Sequence, residues 1–329
     1  MKYLLVGGAG YIGSHIAEIL NDNKQEVAIY DNLSTGFKEF VLENQQLYIG
    51  DVLNQNDYEK VLKNFNPDVV IYLAGLIKVG ESIKFPIKYY ETNILGIINT
   101  LKLMEKYKIK NLIFSSSAAV YGKNCRHKNG FLEKDTKKPI SPYGKSKLFD
   151  EQIIDDYAKV HKDFNYTFLR YFNVAGASES QRIGYLIKNN SEITHIVPAI
   201  SYHVFGKNPN FKINGNDYKT HDKTCIRDYI HVKDLANIHY QAAKHMIKNR
   251  KNYIYNVGNN KGYSNLEIVK KFEFILKRKL DIKYGPRREG DPDILIANSS
   301  KLKEELNYEF KYSLEDIVRT ELEFRKNHQ

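Results

Sequence analysis

The chain has few of the features that would place it outside the cytoplasm or in a membrane. Its 329 residues include only two cysteines, Cys125 and Cys225, which are far apart and lack a C-x-x-C pattern. Disulfide bonds and a structural zinc site are therefore not expected. No apolar run approaches the roughly 20 residues of a membrane-spanning helix, and the N-terminal residues lack a signal-peptide cleavage pattern. We therefore expect a cytoplasmic protein with no membrane partner.

Internal repeats, low-complexity segments and flexible linkers are also missing. The net charge is +11, but the lysines are spread along helical stretches opposite glutamates, and the basic runs are short. A basic surface that attracts polyphosphate ligands explains this charge better than nucleic-acid binding does.

Gly144-Lys145-Ser146 resembles the end of a P-loop, but Pro139 stands where the first glycine of that motif is required, which excludes a P-loop.

The N-terminal segment has the strand, glycine turn and helix of a dinucleotide-binding fold. Gly8-x-Gly10-x-x-Gly13 follows a short apolar strand and opens a helix with apolar residues at helical spacing. The glycines permit a tight turn and close approach of a pyrophosphate to the helix N-terminus. A second strand ends in Asp31, whose carboxylate should bind the adenosine ribose hydroxyls and repel a 2′-phosphate. NAD is thus favoured over NADP, and the alternative is that Asp31 only forms a turn before Asn32.

Apolar runs that end in small or acidic residues alternate with helical stretches as far as residue 173. The predicted strands are Lys2–Val6, Glu26–Tyr30, Gln46–Gly50, Asp68–Leu73, Asn111–Ser115 and Tyr166–Phe172. This alternation predicts an α/β fold, a doubly wound parallel (Rossmann) sheet whose ligand lies at the carboxyl ends of the strands. The chain is long for one core, and we predict an NAD-binding domain at 1–173 and a smaller substrate-binding region at 174–329. Residues 228–258 are expected to pack back onto the first domain.

A tyrosine and a lysine share one face of a helix near the middle of the chain. Ser141 can cap this helix and Pro142 fits its first turn, so Tyr143 and Lys147 are residues i and i+4. A unit charge at ~4 Å with an effective dielectric of ~20 is worth ~4 kcal/mol, or roughly three pK units at most. That would lower the pKa of the Tyr143 phenol towards ~7, where the phenolate can remove a proton from a sugar hydroxyl. The alternative is a chance pair on the surface.

Eight segments, in order, resemble the UDP-glucose 4-epimerases, a group within the extended short-chain dehydrogenase/reductase family. They are Gly7–Ser14, Ala74-Gly75-Leu76, Val79-Gly80-Glu81-Ser82, Ser115–Gly122, Ser141–Lys147, Arg170–Asn173, Arg227–Val232 and Arg287–Asp291. The resemblance covers essentially the whole chain and is far more specific than any single motif. It implies a homodimeric, NAD-dependent isomerase of galactose metabolism, which interconverts UDP-glucose and UDP-galactose through a transient 4-ketose.

The resemblance also implies a role for individual side chains. Tyr143 would be the acid/base, Lys147 would hold the nicotinamide ribose and lower the pKa of the tyrosine, and Ser117 would bind the reacting sugar oxygen. The cofactor-binding residues would be Gly7, Gly10, Tyr11, Ile12, Gly13, Asp31, Asn32, Asp51, Val52, Leu73, Ala74, Gly75, Asn93, Tyr143, Lys147 and Phe172. The substrate-binding residues would be Ser117, Asn173, Arg227, Arg288, Asp291 and Leu295. In this scheme the arginines bind the diphosphate, Asp291 binds the ribose, and no residue binds a metal.

Two positions depart from the pattern of these enzymes. Ile77 stands where a lysine often follows Ala-Gly-Leu, and Lys78 comes one residue later. The resemblance places Leu295 at the position that, in these enzymes, lies beside the C2 group of the sugar and is often a tyrosine or a small residue. The preference between plain and N-acetylated sugars is therefore open, and a UDP-N-acetylglucosamine 4-epimerase is an alternative.

Two further readings are less favoured. Sugar-nucleotide 4,6-dehydratases of this fold carry Thr-Asp-Glu before Val-Tyr-Gly, because elimination needs an additional acid and base. This chain has Ser117-Ala118-Ala119 at that place, and alanine cannot transfer protons. A non-catalytic NAD-binding sensor would be expected to have lost Tyr143 or Lys147, and both are present.

Overall fold

The structure is a computed structural model, and it describes residues 1–123, 125, 127, 129–188, 193–288 and 291–328. The strands are β1 (Lys2–Val6), β2 (Glu26–Asp31), β3 (Gln46–Ile49), β4 (Val69–Tyr72), β5 (Asn111–Ser117), β6 (Asn165–Tyr171), β7 (Asn173–Ala175), β8 (Lys212–Asn214), β9 (Ile226–His231), β10 (Tyr253–Val257), β11 (Gly262–Ser264), β12 (Lys283–Gly285) and β13 (Ile294–Leu295). The α-helices are α1 (Tyr11–Asp22), α2 (Gln55–Phe65), α3 (Val79–Lys84), α4 (Pro86–Lys106), α5 (Pro142–Val160), α6 (Ile196–Val204), α7 (Val232–Asn249), α8 (Asn265–Leu276), α9 (Ser300–Leu306) and α10 (Leu314–Asn327).

The first of two compact units comprises residues 1–120, 137–170 and 236–255. It is built on a seven-stranded sheet in the order β10-β6-β5-β4-β1-β2-β3. β1 pairs in parallel with β2 and β4, β2 with β3, and β4 with β5. The predicted doubly wound α/β fold is therefore confirmed. β1 separates β2 and β3 from the later strands, and such a switch point is where ligands bind in sheets of this kind.

The central strands of this sheet are apolar and buried. Val69–Tyr72 is entirely buried, as are four of the five residues of Lys2–Val6. Strands that are covered on both faces read as continuous apolar runs. This explains why the sequence predicts these strands well. Among the described residues, no helix is long and apolar enough to cross a membrane.

The second unit comprises residues 121–136, 171–235 and 256–329. Its main sheet is centred on β9, which pairs antiparallel with β11 and parallel with β13 and β7. β8 and β12 form a separate parallel pair. The core of this unit packs apolar residues of α6, α8 and α10 together, including Ile200, Phe272 and Val318, each with no exposed surface.

Candidate active site

The N-terminus of α5 places Tyr143 and Lys147 in the interior of the first unit. The hydroxyl of Ser141 accepts a hydrogen bond from the Gly144 N–H at 3.1 Å, and Pro142 is the first helical residue. Tyr143 is 9% exposed and Lys147 is 3% exposed. The two residues therefore do not form a chance surface pair.

The Lys147 ammonium lies beside the turn that follows β4. Its Nζ is 4.7 Å from the centre of the Phe114 ring, and a Cβ added at Gly75 would lie 3.8 Å from the same nitrogen. Asn93 links this turn to α5, because it accepts from the Leu76 N–H at 2.8 Å and donates to the Ser146 hydroxyl at 2.9 Å. The amide of Asn93 therefore holds the turn against the helix that carries the lysine.

Burial shifts the pKa values of both side chains towards their neutral forms. Desolvation raises the pKa of Tyr143, a hydrogen bond with Ser117 lowers it, and the Asp150 carboxylate raises it. The net direction is upward, so the protein side chains alone do not give the lowered pKa that both the neighbouring Lys147 charge and the resemblance predict. Desolvation likewise lowers the pKa of Lys147, against the opposite effects of Asp150 and Glu151.

A buried ion pair fixes α5 to the two neighbouring strands. Glu151 accepts from Arg170 Nε at 2.8 Å and from Arg170 Nη2 at 2.6 Å, and from the Ser116 hydroxyl at 2.6 Å. Arg170 is 1% exposed and Glu151 is 4% exposed. The forked guanidinium matches the carboxylate in geometry, so this pair fixes the position of α5 on the sheet.

The loop between β1 and α1 has the shape that a dinucleotide requires. Gly7 has φ +83°, and a Cβ there would lie 2.7 Å from the backbone nitrogen of Ala74. A Cβ at Gly13 would lie 2.6 Å from the Gly7 carbonyl oxygen. Gly10 precedes Tyr11, the first residue of α1, and has no side chain that could cap the helix. The first-turn N–H groups can therefore bind a pyrophosphate, so these residues fit NAD.

Asp31 at the end of β2 is bonded to the glycine loop. One of its carboxylate oxygens accepts from the Ala9 N–H at 3.0 Å, and the other accepts from the Leu33 N–H at 2.8 Å. Asn32 follows it and donates to Asp51 Oδ2 at 2.9 Å. The turn-forming role of Asp31 is thus present in the structure, and its role towards the ribose stays a prediction.

The remaining predicted cofactor residues have different surroundings. The N–H groups of Leu73 and Ala74 both donate to the Val6 carbonyl, at 2.8 Å and 2.9 Å, so they lie next to the glycine loop. Val52 is 8% exposed and belongs to the core of the first unit. Phe172 belongs to the second unit, and its N–H donates to the Val257 carbonyl at 3.1 Å.

The departure after Ala74-Gly75-Leu76 lies at the surface. Ile77 is 53% exposed. Lys78 precedes the first residue of α3, and the Tyr89 hydroxyl both accepts from the Lys78 N–H at 3.0 Å and donates to its carbonyl at 2.8 Å. The backbone of Lys78 is therefore fixed by Tyr89, and its role towards a cofactor stays open.

In the second unit, Arg227 and Asp291 pair with each other. Arg227 Nη2 donates to Asp291 Oδ1 at 2.5 Å and to the Pro292 carbonyl at 2.7 Å. The other carboxylate oxygen of Asp291 accepts from the Tyr218 hydroxyl at 3.1 Å. Tyr218 is a residue that sequence reasoning missed, because it lies 73 positions from its partner and belongs to no motif.

Arg288 contacts uncharged oxygens only, among the residues that the structure describes. Its Nη1 donates to the Thr194 carbonyl at 3.4 Å. With the Asn214 amide turned so that its oxygen faces the guanidinium, that oxygen accepts from Arg288 Nη2 at 3.1 Å and from Nε at 2.9 Å. The intervening motif residues Glu289 and Gly290 lie outside the described residues.

Leu295 and Asn173 are placed by the sheet of the second unit. Leu295 lies on β13 directly beside Arg227 of β9, and its side chain is partly exposed. Asn173 begins β7 and is paired with Tyr229 of β9. Asn173, Arg227, Asp291 and Leu295 are thus brought together around β9, although they are far apart in the sequence. Among the described residues, no group of three or more His, Cys, Asp or Glu side chains could hold a metal ion.

Comparisons with known proteins give a consistent result. The sequence model of the NAD dependent epimerase/dehydratase family matches residues 3–258. UDP-glucose 4-epimerase of Lactobacillus helveticus is 39% identical over 329 residues, which is all of this chain and 98% of that protein. UDP-glucose 4-epimerase from Bifidobacterium longum, solved in complex with NAD⁺ and UDP, superposes with a TM-score of 0.94 at 33% identity, covering 99% of this chain and 98% of that one. The enzyme of the same name from Stenotrophomonas maltophila, solved with NAD and formylated UDP-arabinopyranose, has a TM-score of 0.94 at 32% identity, covering 100% and 98%.

Proposed function

This chain belongs to the NAD dependent epimerase/dehydratase family, and on that premise we propose that it interconverts UDP-glucose and UDP-galactose as a 4-epimerase. The observation that carries the proposal is the buried pair of Tyr143 and Lys147, in the same unit as a glycine loop that fits NAD. The similar enzymes from Bifidobacterium longum and Lactobacillus helveticus carry the same activity in their names. Ala118 and Ala119 argue against a 4,6-dehydratase, which needs additional proton-transferring groups.

Tyr143 would take the proton of the sugar 4-hydroxyl as C4 gives up hydride. After the 4-ketose has turned over in the pocket, Tyr143 would return the proton to the same oxygen while C4 receives hydride on its opposite face. NAD, when bound, would supply the acceptor and donor of hydride and a positive charge that favours the phenolate. Ser117 already contacts the phenol and lowers its pKa, so it would stabilise the same ionised form. Lys147 would hold the nicotinamide ribose through its ammonium. No net oxidation of the sugar occurs, because the proton and the hydride are both returned.

The two arginines proposed for the UDP part of the substrate differ in whether a carboxylate neutralises their charge. The charge of Arg227 is compensated by Asp291 at 2.5 Å, whereas the described partners of Arg288 are neutral oxygens. We therefore propose Arg288 as the main contact for the diphosphate, since an arginine without a carboxylate partner gains most from a phosphate. Asn173 and Asp291 would bind the sugar and the uridine ribose.

The function is tested by incubating purified protein with UDP-galactose and separating the products. We expect UDP-glucose to appear until the two sugars reach equilibrium, with no change in mass. A product lighter by one water would instead identify a 4,6-dehydratase. Binding of NAD without any turnover would favour a sensor and contradict the proposed activity.

Leu295 is expected to decide how well N-acetylated sugars are accepted. Leucine is shorter than the tyrosine found here in some related enzymes, so UDP-N-acetylglucosamine should be converted, though more slowly than UDP-glucose. Leu295→Tyr should selectively suppress the N-acetylated reaction, because the ring clashes with the larger substrate alone; specificity effects of this kind are about 10- to 200-fold. The measurement is the ratio of kcat/KM for the two substrates.

Ile294→Tyr provides a matched control for that substitution. Ile294 is the neighbouring residue of β13, is 42% exposed and points to the opposite face of the strand. Its replacement should leave the ratio unchanged. Equal loss of both reactions in Leu295→Tyr, or no N-acetyl activity in the wild type, would show that Leu295 does not control the sugar C2 site.

We further propose that the chain forms a homodimer through α4 and α5. These two helices pack against each other, and their outer surface exposes large apolar side chains, including Ile87 at 64%, Leu95 at 47% and Phe149 at 42%. Such a patch on a helix pair is typical of an interface with a second copy. Light scattering should give twice the mass of one chain, and Leu95→Lys should yield monomers. A monomeric wild type would contradict the proposal.

The thiols are consistent with a reducing compartment. Cys125 is partly exposed, Cys225 is buried, and both are free. Disulfides are rare where glutathione keeps thiols reduced. We therefore propose a cytoplasmic location.

A further inference from the structure

A third ionisable residue lies on the face of α5 that carries the tyrosine and the lysine. Asp150 is three positions after Lys147 and seven after Tyr143, which places all three on one stripe of the helix. Its side chain has no exposed surface. Neither of its carboxylate oxygens has a hydrogen-bond partner among the residues that the structure describes. Nothing in the proposed reaction so far uses this carboxyl group.

The elements around Asp150 offer few charges. On α5, Glu151 is nearest in sequence, but its carboxylate is already engaged by Arg170 of β6 and by Ser116 of β5. β5 contributes the apolar ring of Phe114 beside the Lys147 ammonium. α4, the helix with most contact to α5, faces it with the neutral amide of Asn93.

β4 contributes the buried hydroxyl of Tyr72 to the same region. Tyr72 is 1% exposed, and its hydroxyl has no hydrogen-bond partner among the described residues. Burial raises its pKa, and the Asp150 carboxylate acts in the same direction. Further from α5, Tyr58 and Asp51 raise the pKa of Tyr72 in the same way. Asp150 is therefore buried among mostly uncharged groups of the described residues, and Lys147 is the cation that acts on it.

Burial disfavours the charged form of both Asp150 and Lys147, and the charge of each side chain stabilises the charged form of the other. An isolated carboxylate or ammonium in the interior is strongly disfavoured unless an opposite charge lies nearby. Burial raises the pKa of Asp150 to about 8 against the opposite effect of Lys147, and the Glu151 carboxylate adds to the rise. Burial lowers the pKa of Lys147, while Asp150 and, after it, Glu151 raise it. A negative charge on Asp150 therefore opposes the loss of the Lys147 proton that burial favours.

We propose that Asp150 is a positioning residue that keeps the Lys147 ammonium charged in its buried site, and so extends catalysis and NAD binding to more alkaline pH. This inference rests on the proposed function, in which the ammonium holds the nicotinamide ribose beside the base. Asp150 itself contacts neither substrate nor cofactor in this scheme. It acts only through the charge of the lysine.

The test compares the alkaline limb of the pH–rate profile in wild type and in Asp150→Asn. The amide has the shape of the protonated acid but cannot become negative, so the lysine should lose its proton earlier. We expect the alkaline limb of kcat/KM for UDP-galactose to move to lower pH by about one to two units, the effect of one charge at roughly one helical turn. Asp150→Glu should retain part of the activity at alkaline pH, because it keeps a carboxylate. Asp150→Leu should shift the alkaline limb as Asp150→Asn does.

Asp155→Asn is the matched control for the change in net charge. Asp155 lies on the same helix, but it is partly exposed and bonded to Tyr166 and Lys159 near the other end. Its replacement should leave the alkaline limb in place. An unmoved limb in Asp150→Asn, or a loss of activity that is equal at every pH, would overturn the proposal, since a purely structural defect gives the latter.

NAD titration across the same pH range separates this inference from the proposed function. Asp150→Asn should lose affinity for NAD at lower pH than wild type does, whether or not UDP-hexoses are converted. Absence of turnover together with this shift would overturn the 4-epimerase activity and support the role of Asp150. Identical NAD affinities for the two proteins at every pH would overturn that role.

Discussion

Tyr143→Phe is expected to lower 4-epimerisation by at least ~10²-fold, the usual scale for general acid–base catalysis. The substitution removes the one oxygen that can exchange a proton with the sugar 4-hydroxyl and keeps the ring that fills the buried site. Folding and NAD binding should persist, because the phenol bonds only to Ser117 among its described neighbours. The measurements are UDP-galactose turnover, NAD affinity and the melting temperature.

Tyr157→Phe is the control for removal of a hydroxyl from the same helix. Tyr157 lies near the C-terminal end of α5, where its ring packs against His161 and Phe164. Its replacement should leave turnover within about twofold of wild type, since changes away from the reacting atoms remove no transition-state contact. Near-normal turnover in Tyr143→Phe would show that another group is the base.

The second large effect is expected on stability, from the ion pair that fixes α5. Glu151→Leu leaves the Arg170 guanidinium buried without its carboxylate, and removal of one partner of such a pair typically costs about 3–5 kcal/mol. The free energy of unfolding, measured by urea titration, should fall by about this amount. Glu151→Leu combined with Arg170→Met should recover much of the loss, because no uncompensated charge remains.

A surface ion pair serves as the comparison. Arg319 and Glu323 of α10 are four residues apart, 3.1 Å from each other and each 38% exposed. Glu323→Gln should change the free energy of unfolding by less than ~1 kcal/mol, because water already solvates both charges. A loss equally small in Glu151→Leu, or a double variant no more stable than the single one, would contradict the role given to the buried pair.

The sequence predicts the sheet of the first unit well because its central strands are buried and read as apolar runs. Each of the six strands predicted before residue 173 lies within two residues of its predicted bounds. The start of α5 was equally clear, since Ser141 and Pro142 carry local capping chemistry that needs no tertiary context. Burial of Tyr143 and Lys147, by contrast, follows from the fold and could not be read from their spacing.

The second unit was less predictable for a physical reason. β7, β8, β11, β12 and β13 are only two or three residues long, too short for any period of hydrophobicity to show. Leu295 and Arg227 become neighbours only through the pairing of β13 with β9. The sequence also does not predict the direction in which the pKa of Tyr143 shifts. Desolvation outweighs the hydrogen bond from Ser117, and the extent of desolvation depends on packing.

The two hydrogen bonds of the Asp31 carboxylate have a consequence for how cofactor preference can change. The same oxygens that would discriminate between NAD and NADP also hold the backbone at Ala9 and Leu33. A variant that accepts NADP by losing this carboxylate would at the same time loosen the glycine loop that we propose binds the pyrophosphate. An evolutionary change of preference from NAD to NADP would therefore pass through an intermediate that binds both cofactors poorly. A second substitution that first supplies new acceptors for the N–H groups of Ala9 and Leu33 would avoid this intermediate. Adaptation of this site thus depends on the order in which substitutions occur.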